Sequence, residues 1–218
     1  MDFSTATNLD VTAFRQSGAN PCAPALIDAG HPQRKKVETF IAQRFLEVHG
    51  AQITAFMPQM LALFDDQGAV RAAVGMRDAS LERLFLEYYL DIPVEQAIAD
   101  RSIADRATPG CVIEERERIV EIGNLASIDR LASRNLFKLL ARRLSADDYQ
   151  WAVFTGCSSL QRMFATLGIE TVSLGRALQS RLPVDQQTWG GYYEDNPQVV
   201  AGRVGHGRRV FEQLTVAA

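Results

Sequence analysis

Glu121 stands among apolar residues in "RIVEIGNLAS", residues 118–127, and is followed at once by Gly123 and Asn124. Side chains alternate along an extended chain. Ile119, Glu121, Gly123 and Leu125 would then share one face and Val120, Ile122 and Asn124 the other. An ionised carboxylate in such surroundings must either find partners or take up a proton more readily than usual, which is the property of a proton acceptor working near neutral pH. Gly123 leaves room for something to approach the backbone, and Asn124 adds an amide donor and acceptor near the end of the run. The residues alone leave a plainer account open: Glu121 pairs with Arg116 or Arg118, Gly123 marks a bulge, and Asn124 starts a turn.

Other chemistry-bearing residues are few. Cys157 precedes two serines that can cap a helix, where the helix dipole lowers a thiol's pKa. The three histidines, His31, His49 and His206, are far from it in sequence, so nothing in the order of residues builds a Cys-His nucleophile, and an inert buried thiol is the simpler reading. No spacing of His, Cys and carboxylates suggests a metal site, and no phosphate-binding or dinucleotide fingerprint is present.

The elements that must position Glu121 follow from periodicity. Val37, Phe40, Ile41, Phe45 and Val48 recur at helical spacing before Gly50. "MLALF" and "AVRAAVGMR" flank Asp65-Asp66-Gln67-Gly68, the pattern of an antiparallel hairpin. "LFLEYYL" reads as a further strand, Pro93 opens a short helix, and Thr108-Pro109-Gly110 forms a loop. The run from Arg116 to Ala126 reads as a strand, Leu136, Leu139, Leu140 and Leu144 as a helix, and "WAVFT" as a second strand. That βαβ unit implies a parallel pair, with any ligand at the carboxyl ends of its strands. Ser158 or Ser159 caps another helix that ends at Gly168, and "IETVSL" gives another strand. Residues 1–32, with Pro21, Pro24 and Pro32, read as an irregular arm, and residues 203–218 as a solvated tail. The fold class is α/β, organised as arm, domain over 33–202, and tail.

Composition excludes several functions. With 218 residues, 47% hydrophobic and 22% charged, the chain is that of an ordinary globular protein. Its net charge of −3 gives no reason to expect nucleic acid. No apolar run is long enough to span a bilayer and the first residues lack an export signal. Three widely spaced cysteines fit a reducing compartment, so the expected location is the cytoplasm.

The succession "VETFIAQRF", "HGAQITAFMPQMLAL", "LFLEYYLDIPVEQAI", "RIVEIGNLAS", "WAVFTGC" and "WGGYYEDNPQVVAG", from about Arg34 to about Gly202, resembles the bacterial thermostable hemolysin family. That family in turn looks like a divergent branch of the GNAT acyltransferases, near the acyl-homoserine-lactone synthases and the N-acyl amino acid synthases. The resemblance implies a central twisted mixed sheet with helices on both faces. It also implies transfer of an acyl group, of fatty length, from a phosphopantetheine thioester to an amine of an amino acid or related small metabolite; a membrane-active hemolysin-like protein and an acyl-binding module without catalysis are the alternatives. No cofactor would be bound permanently; the donor would be coenzyme A or an acyl carrier protein.

On this resemblance Glu121 is the candidate base and Asn124 its neighbour in the catalytic site. Backbone groups of Leu125, Ala126 and Ser127 would pair with the pantetheine arm, and the start of the next helix, with Arg130 and Arg134, would face its phosphate. The glycine-rich loop of acetyl-CoA enzymes is absent from "SIDRLASRN", which leaves room for a carrier protein. Glu87, Tyr88 and Tyr89, with Thr155 at the end of "WAVFT" and Trp189, Tyr192 and Tyr193 in "WGGYYEDNP", are candidates to line the acceptor pocket; tyrosines that simply pack in an edge strand and a C-terminal segment that clamps the core are the alternatives.

Overall fold

Hydrogen-bonding demand and apolar patterning together give a seven-stranded sheet. A computed structural model describes residues 23–104, 115–183 and 188–216. In chain order the elements are β1 (Ala23–Ile27), α1 (Arg34–His49), β2 (Gln59–Phe64), β3 (Val70–Asp78), α2 (Val94–Ala104), β4 (Ile119–Ser127), α3 (Arg130–Ala146), β5 (Trp151–Gly156), α4 (Ser158–Thr166), β6 (Thr171–Arg176), β7 (Gln198–Arg203) and α5 (Val204–Val216). The strand order is β1-β2-β3-β4-β5-β7-β6. Among the described residues only β4 and β5 pair in parallel. One face of the sheet packs on α3, α4 and α5, the other on α1 and α2.

The expected hairpin forms because Asp65 Oδ1 accepts from the amides of Gln67 and Ala69, at 3.1 and 2.8 Å, while Gly68 takes the left-handed backbone that closes the turn. Helix α1 ends where Gly50, at φ 66°, donates to Leu46 O. Its buried stripe is narrower than the pattern suggested: Val37 and Ile41 are sealed, but Val48 is 59% exposed.

Four expectations are corrected. Part of the supposed irregular arm, Ala23–Ile27, is an edge strand on β2; residues 1–22, like the Thr108-Pro109-Gly110 loop, lie outside the described residues. The supposed tail is helix α5, whose Phe211 stacks on Phe137 of α3, with centroids 6.1 Å apart and planes at 8°. Helix α4 is capped by Cys157, without a side-chain bond, instead of by a serine. "LFLEYYL" is not a strand: Phe85–Tyr88 is a 3₁₀ turn. The amides of Leu84, Phe85 and Leu86 are claimed by the carboxylates of Glu87 and Glu121. A residue whose N–H is bonded to a side chain cannot give it to a neighbouring strand, so local polar pairing outweighs the β-propensity of the aromatics.

Candidate active site

The site is built where β4 and β5 part. Their parallel pairing runs from Ile119 opposite Trp151 to Ile122 opposite Phe154 and stops there, although β4 continues to Ser127 and β5 to Gly156. Beyond that point the edges of both strands face a gap. A cavity of about 480 Å³ occupies it and reaches both faces of the sheet. On the α3 side it is an apolar gallery walled by Phe137, Leu140, Ala141, Leu144, Phe154, Phe164 and Phe211. On the α1 and α2 side it meets Glu121, Arg77, Phe85, Tyr89, Trp189 and Tyr192.

A bulge in β4 shapes the mouth. Ala73 faces Ala126 and Gly75 faces Gly123, so β4 carries an extra residue there. Asn124 absorbs it in the left-handed region at φ 50°. The strict alternation expected from the sequence therefore fails after Gly123: Asn124 swings to the Glu121 face and Leu125 to the α3 face. The Asn124 amide is engaged with the segment before β2, accepting from Met57 N at 2.8 Å and donating to Ala55 O at 3.4 Å. What approaches Gly123 is the Met57 side chain, whose Cε would lie 2.4 Å from a Cβ at that position.

Glu121 is 3% exposed. Its partners are neither Arg116 nor Arg118: Oε2 accepts from Phe85 N at 2.9 Å and Oε1 from Leu86 N at 2.8 Å. Burial pushes the carboxyl above its ordinary range, opposed by those two amides and by the charge of Arg77. One amide per oxygen leaves acceptor capacity on each, and the side chain borders the cavity. Arg116 instead forms a bidentate pair with Glu87, both bonds at 2.8 Å, and also reaches Glu95.

Glu87 consequently lies away from the cavity. Besides Arg116 it accepts from Leu84 N and from Val94 N, the start of α2, which makes it a structural hub. Burial opposes its charge most strongly, yet the Arg116 guanidinium and the two amides hold the carboxyl below its ordinary range. Tyr88 also lies off the cavity, with the Arg83 guanidinium over its ring. Tyr89 borders the cavity, and its hydroxyl pairs with that of Tyr193. Burial raises the Tyr89 and Tyr192 phenols and pushes Tyr193 up to about 12.

The aromatic segment from Trp189 to Tyr193 is a strap tied at both ends. Gly191 N donates to His49 O at 2.8 Å, Gln52 N to Thr188 O at 2.7 Å, and Tyr192 Oη to Thr155 O at 3.2 Å. Trp189, Tyr192 and Thr155 border the cavity; Tyr193 stands behind Tyr89. His49 also borders the cavity, with its ring on the edge of Tyr192 and its pKa lowered by burial against the pull of Asp195.

Of the residues expected to hold the donor, Leu125 borders the cavity and the rest do not. Ala126 packs towards α1, and the Ser127 carbonyl accepts from Arg44 Nε at 3.1 Å. Arg130 and Arg134 are exposed on α3. The start of α3, expected to face a phosphate, is already capped by the Asp129 carboxylate, which accepts from Ala132 N at 2.7 Å. A negative charge there disfavours a second anion at the same amides.

Residues 27–208 match the profile of the thermostable hemolysin family. The chain belongs to that family. No curated protein matches. Among solved structures, the acyl-homoserine-lactone synthase LasI is similar at 12% identity and a TM-score of 0.56, over 85% of this chain and 91% of its own. FeeM, an N-acyl amino acid synthase from uncultured soil microbes, gives 12% and 0.55 over 86% and 94%. The CoA-dependent acyl-homoserine-lactone synthase BjaI, solved with SAM and isopentyl-CoA, gives 11% and 0.57 over 88% of each chain. These likenesses show that this member of the hemolysin family shares the fold of those synthases.

Sequence reasoning missed Arg77, His49, Met57 and the α3 gallery. Arg77 could have been found by pairing the hairpin with β4 and asking which residue stands opposite Glu121. Nothing local marked Met57 or His49.

Proposed function

We propose that this protein is an N-acyltransferase that moves a fatty acyl group from a phosphopantetheine thioester to the amine of an amino acid or related small metabolite. The observation that carries the reading is the parting of β4 and β5 over one cavity that joins a buried carboxylate to an apolar gallery. In this reading the acyl chain would fill the gallery, the thioester would cross the gap, and the amine would enter beside Glu121.

The reaction forms a C–N bond and breaks a C–S bond. The neutral amine attacks the thioester carbonyl, the oxygen gains and then gives up negative charge, and the thiolate leaves. Glu121 takes the proton lost by nitrogen, directly or through one water, and that proton is then available to the thiolate. The amides of Phe85 and Leu86 fix the carboxylate before substrate arrives, so no reorganisation is needed at the moment of transfer. The absent glycine loop and the Asp129 cap favour acyl carrier protein over coenzyme A, whose pyrophosphate needs a larger anion site. The family name fits the product: an N-acyl amino acid joins an apolar tail to a polar head, as a detergent does. Among the described residues no helix is long and apolar enough to cross a membrane.

The test is purified protein with acyl carrier protein and acyl-CoA donors of graded length and a panel of amines, read by free-thiol release and by mass spectrometry of products. A new N-acyl product supports the reading. Absence of thiol release with both donor types, or lysis of cells by the purified protein with no acyl substrate present, refutes it.

A further inference from the structure

Two opposite charges stand on the same wall of the cavity without a salt bridge between them. Arg77 of β3 stands directly opposite Glu121 of β4 in the antiparallel register, so both side chains point to the same face, and both border the cavity. Neighbours in this arrangement have Cβ atoms about 5 Å apart. Among the described residues Glu121 nevertheless makes no ion pair; its oxygens are held by the Phe85 and Leu86 amides. Arg77 Nε is buried and donates no hydrogen bond. Arg77 does form an ion pair with Glu82, Nε to Oε1 at 3.2 Å, but without a hydrogen bond, and the Glu82 side chain is 51% exposed.

A buried donor without an acceptor is costly and uncommon, and when it borders a cavity it leaves a place for an acceptor from outside the chain. A guanidinium presents its N–H groups as a fork that fits a carboxylate. An anion and a cation one strand spacing apart therefore match the ammonium and carboxylate of a zwitterion, whose two charges are joined through a single carbon.

We propose that Arg77 binds the carboxylate of the acceptor, so that the cavity selects α-amino acids over plain amines. This rests on the acyl-transfer reading above and names the acceptor class for that same site.

The test compares wild type, Arg77→Gln and Arg77→Lys on matched acceptor pairs, each an α-amino acid and its decarboxylated amine, such as leucine and isoamylamine or phenylalanine and phenethylamine. Wild type should favour the amino acid, and Arg77→Gln should lower that kcat/KM ratio on the order of 10- to 100-fold, chiefly through KM for the amino acid. Arg77→Lys keeps the positive charge felt by Glu121 but loses the fork, so its ratio should fall between the two. Melting curves confirm that each variant is folded. A wild type that accepts both members of a pair equally, or a folded Arg77→Gln that keeps the wild-type ratio, overturns the proposal. If no acceptor is turned over with any donor, the acyl-transfer reading fails separately. Thermal-shift titration with the same pairs then decides the role of Arg77: stabilisation of wild type by the amino acid alone, lost in Arg77→Gln, supports it, and equal or absent response refutes it.

Discussion

Glu121→Gln tests structure and chemistry in one substitution. The glutamine is nearly isosteric, but it has one carbonyl oxygen where the carboxylate has two, and both are used: Phe85 N at 2.9 Å and Leu86 N at 2.8 Å. The side-chain NH₂ must therefore point at one of these amides, leaving a buried donor without an acceptor at a cost of about 1–3 kcal/mol. Removing a charge that burial disfavours offsets part of this, so the expected net loss at pH 7 is about 1–2 kcal/mol, or roughly 2–8 °C in Tm for a chain of this size. With a total stability of about 5–15 kcal/mol, such a variant stays roughly 99% folded at 25 °C. A fall in turnover of about 10²–10⁴-fold, typical of losing a general base, would then have to be chemical.

The pH dependence gives a second readout with a fixed sign. Because the folded-state pKa of Glu121 lies above its ordinary value of 4.5, the native state binds more protons than the unfolded state between those two values. Its contribution to stability is full below the unfolded pKa and declines as pH rises through the folded one. The Tm of wild type minus that of Glu121→Gln should therefore shrink as pH rises from 4 to 8, and the acid limb of the wild-type kcat/KM profile, placed above pH 4.5, should vanish in the variant. Turnover at the wild-type level in a folded Glu121→Gln would remove this residue from the mechanism. An unaltered Tm at every pH would refute the anchoring role.

Arg116→Met leaves Glu87 buried with only its two backbone donors; the loss should be about 2–4 kcal/mol, reduced from a fully buried pair because the Arg116 side chain is 26% exposed. Since Glu87 is held below its ordinary pKa, the contribution of the pair is present above about pH 4.5 and lost as pH falls through the lower folded value, so the Tm difference from wild type should narrow on acidification. Gly190→Ala puts a Cβ 2.1 Å from His49 O at φ 51°, which should displace the strap at a cost of about 2–3 kcal/mol and shift Trp189 fluorescence to the red; an unchanged emission maximum would argue against a seated strap. Ala141→Phe fills part of the gallery and should move product masses to acyl chains several carbons shorter, while an unchanged chain-length profile would place the acyl group elsewhere.

How much of this was legible depended on whether a feature was local. The β2 and β3 hairpin, the parallel pair and α3 could be read because a turn or a period of few residues specifies each. The sequence pattern around Phe85 misleads because the partner of its amide, the Glu121 carboxylate, is set by a tertiary contact 36 residues away. The face of Asn124 was misassigned because a bulge is visible only against the partner strand, here at Ala73 and Gly75. Helix α5 reads as solvated chain from its basic residues, whereas Val204 and Phe211 are the ones that pack. Glu121 itself is legible as a buried carboxylate, but a single sequence presents base and structural anchor as exclusive roles.

The geometry removes that exclusivity. A carboxylate that pins the 3₁₀ turn through Phe85 and Leu86 carries the aromatic rings of that turn with it. Phe85 meets Trp189 at 5.8 Å and Tyr89 meets Tyr193 at 6.5 Å between ring centroids. The walls of the acceptor side are thus hung from the same group that would take the acceptor's proton, and the cost of burying its charge is offset by bonds the fold needs in any case. Substitutions at Glu121 should then couple to substitutions of the walls. Phe85→Leu and Glu121→Gln, about one contact apart, should show a non-additive stability loss of about 0.5–1 kcal/mol in a double-mutant cycle, whereas Phe85→Leu with the distant Ala141→Phe should add independently. Strict additivity in the first pair would mean that the turn holds its rings without Glu121 and that the carboxylate is retained for chemistry alone.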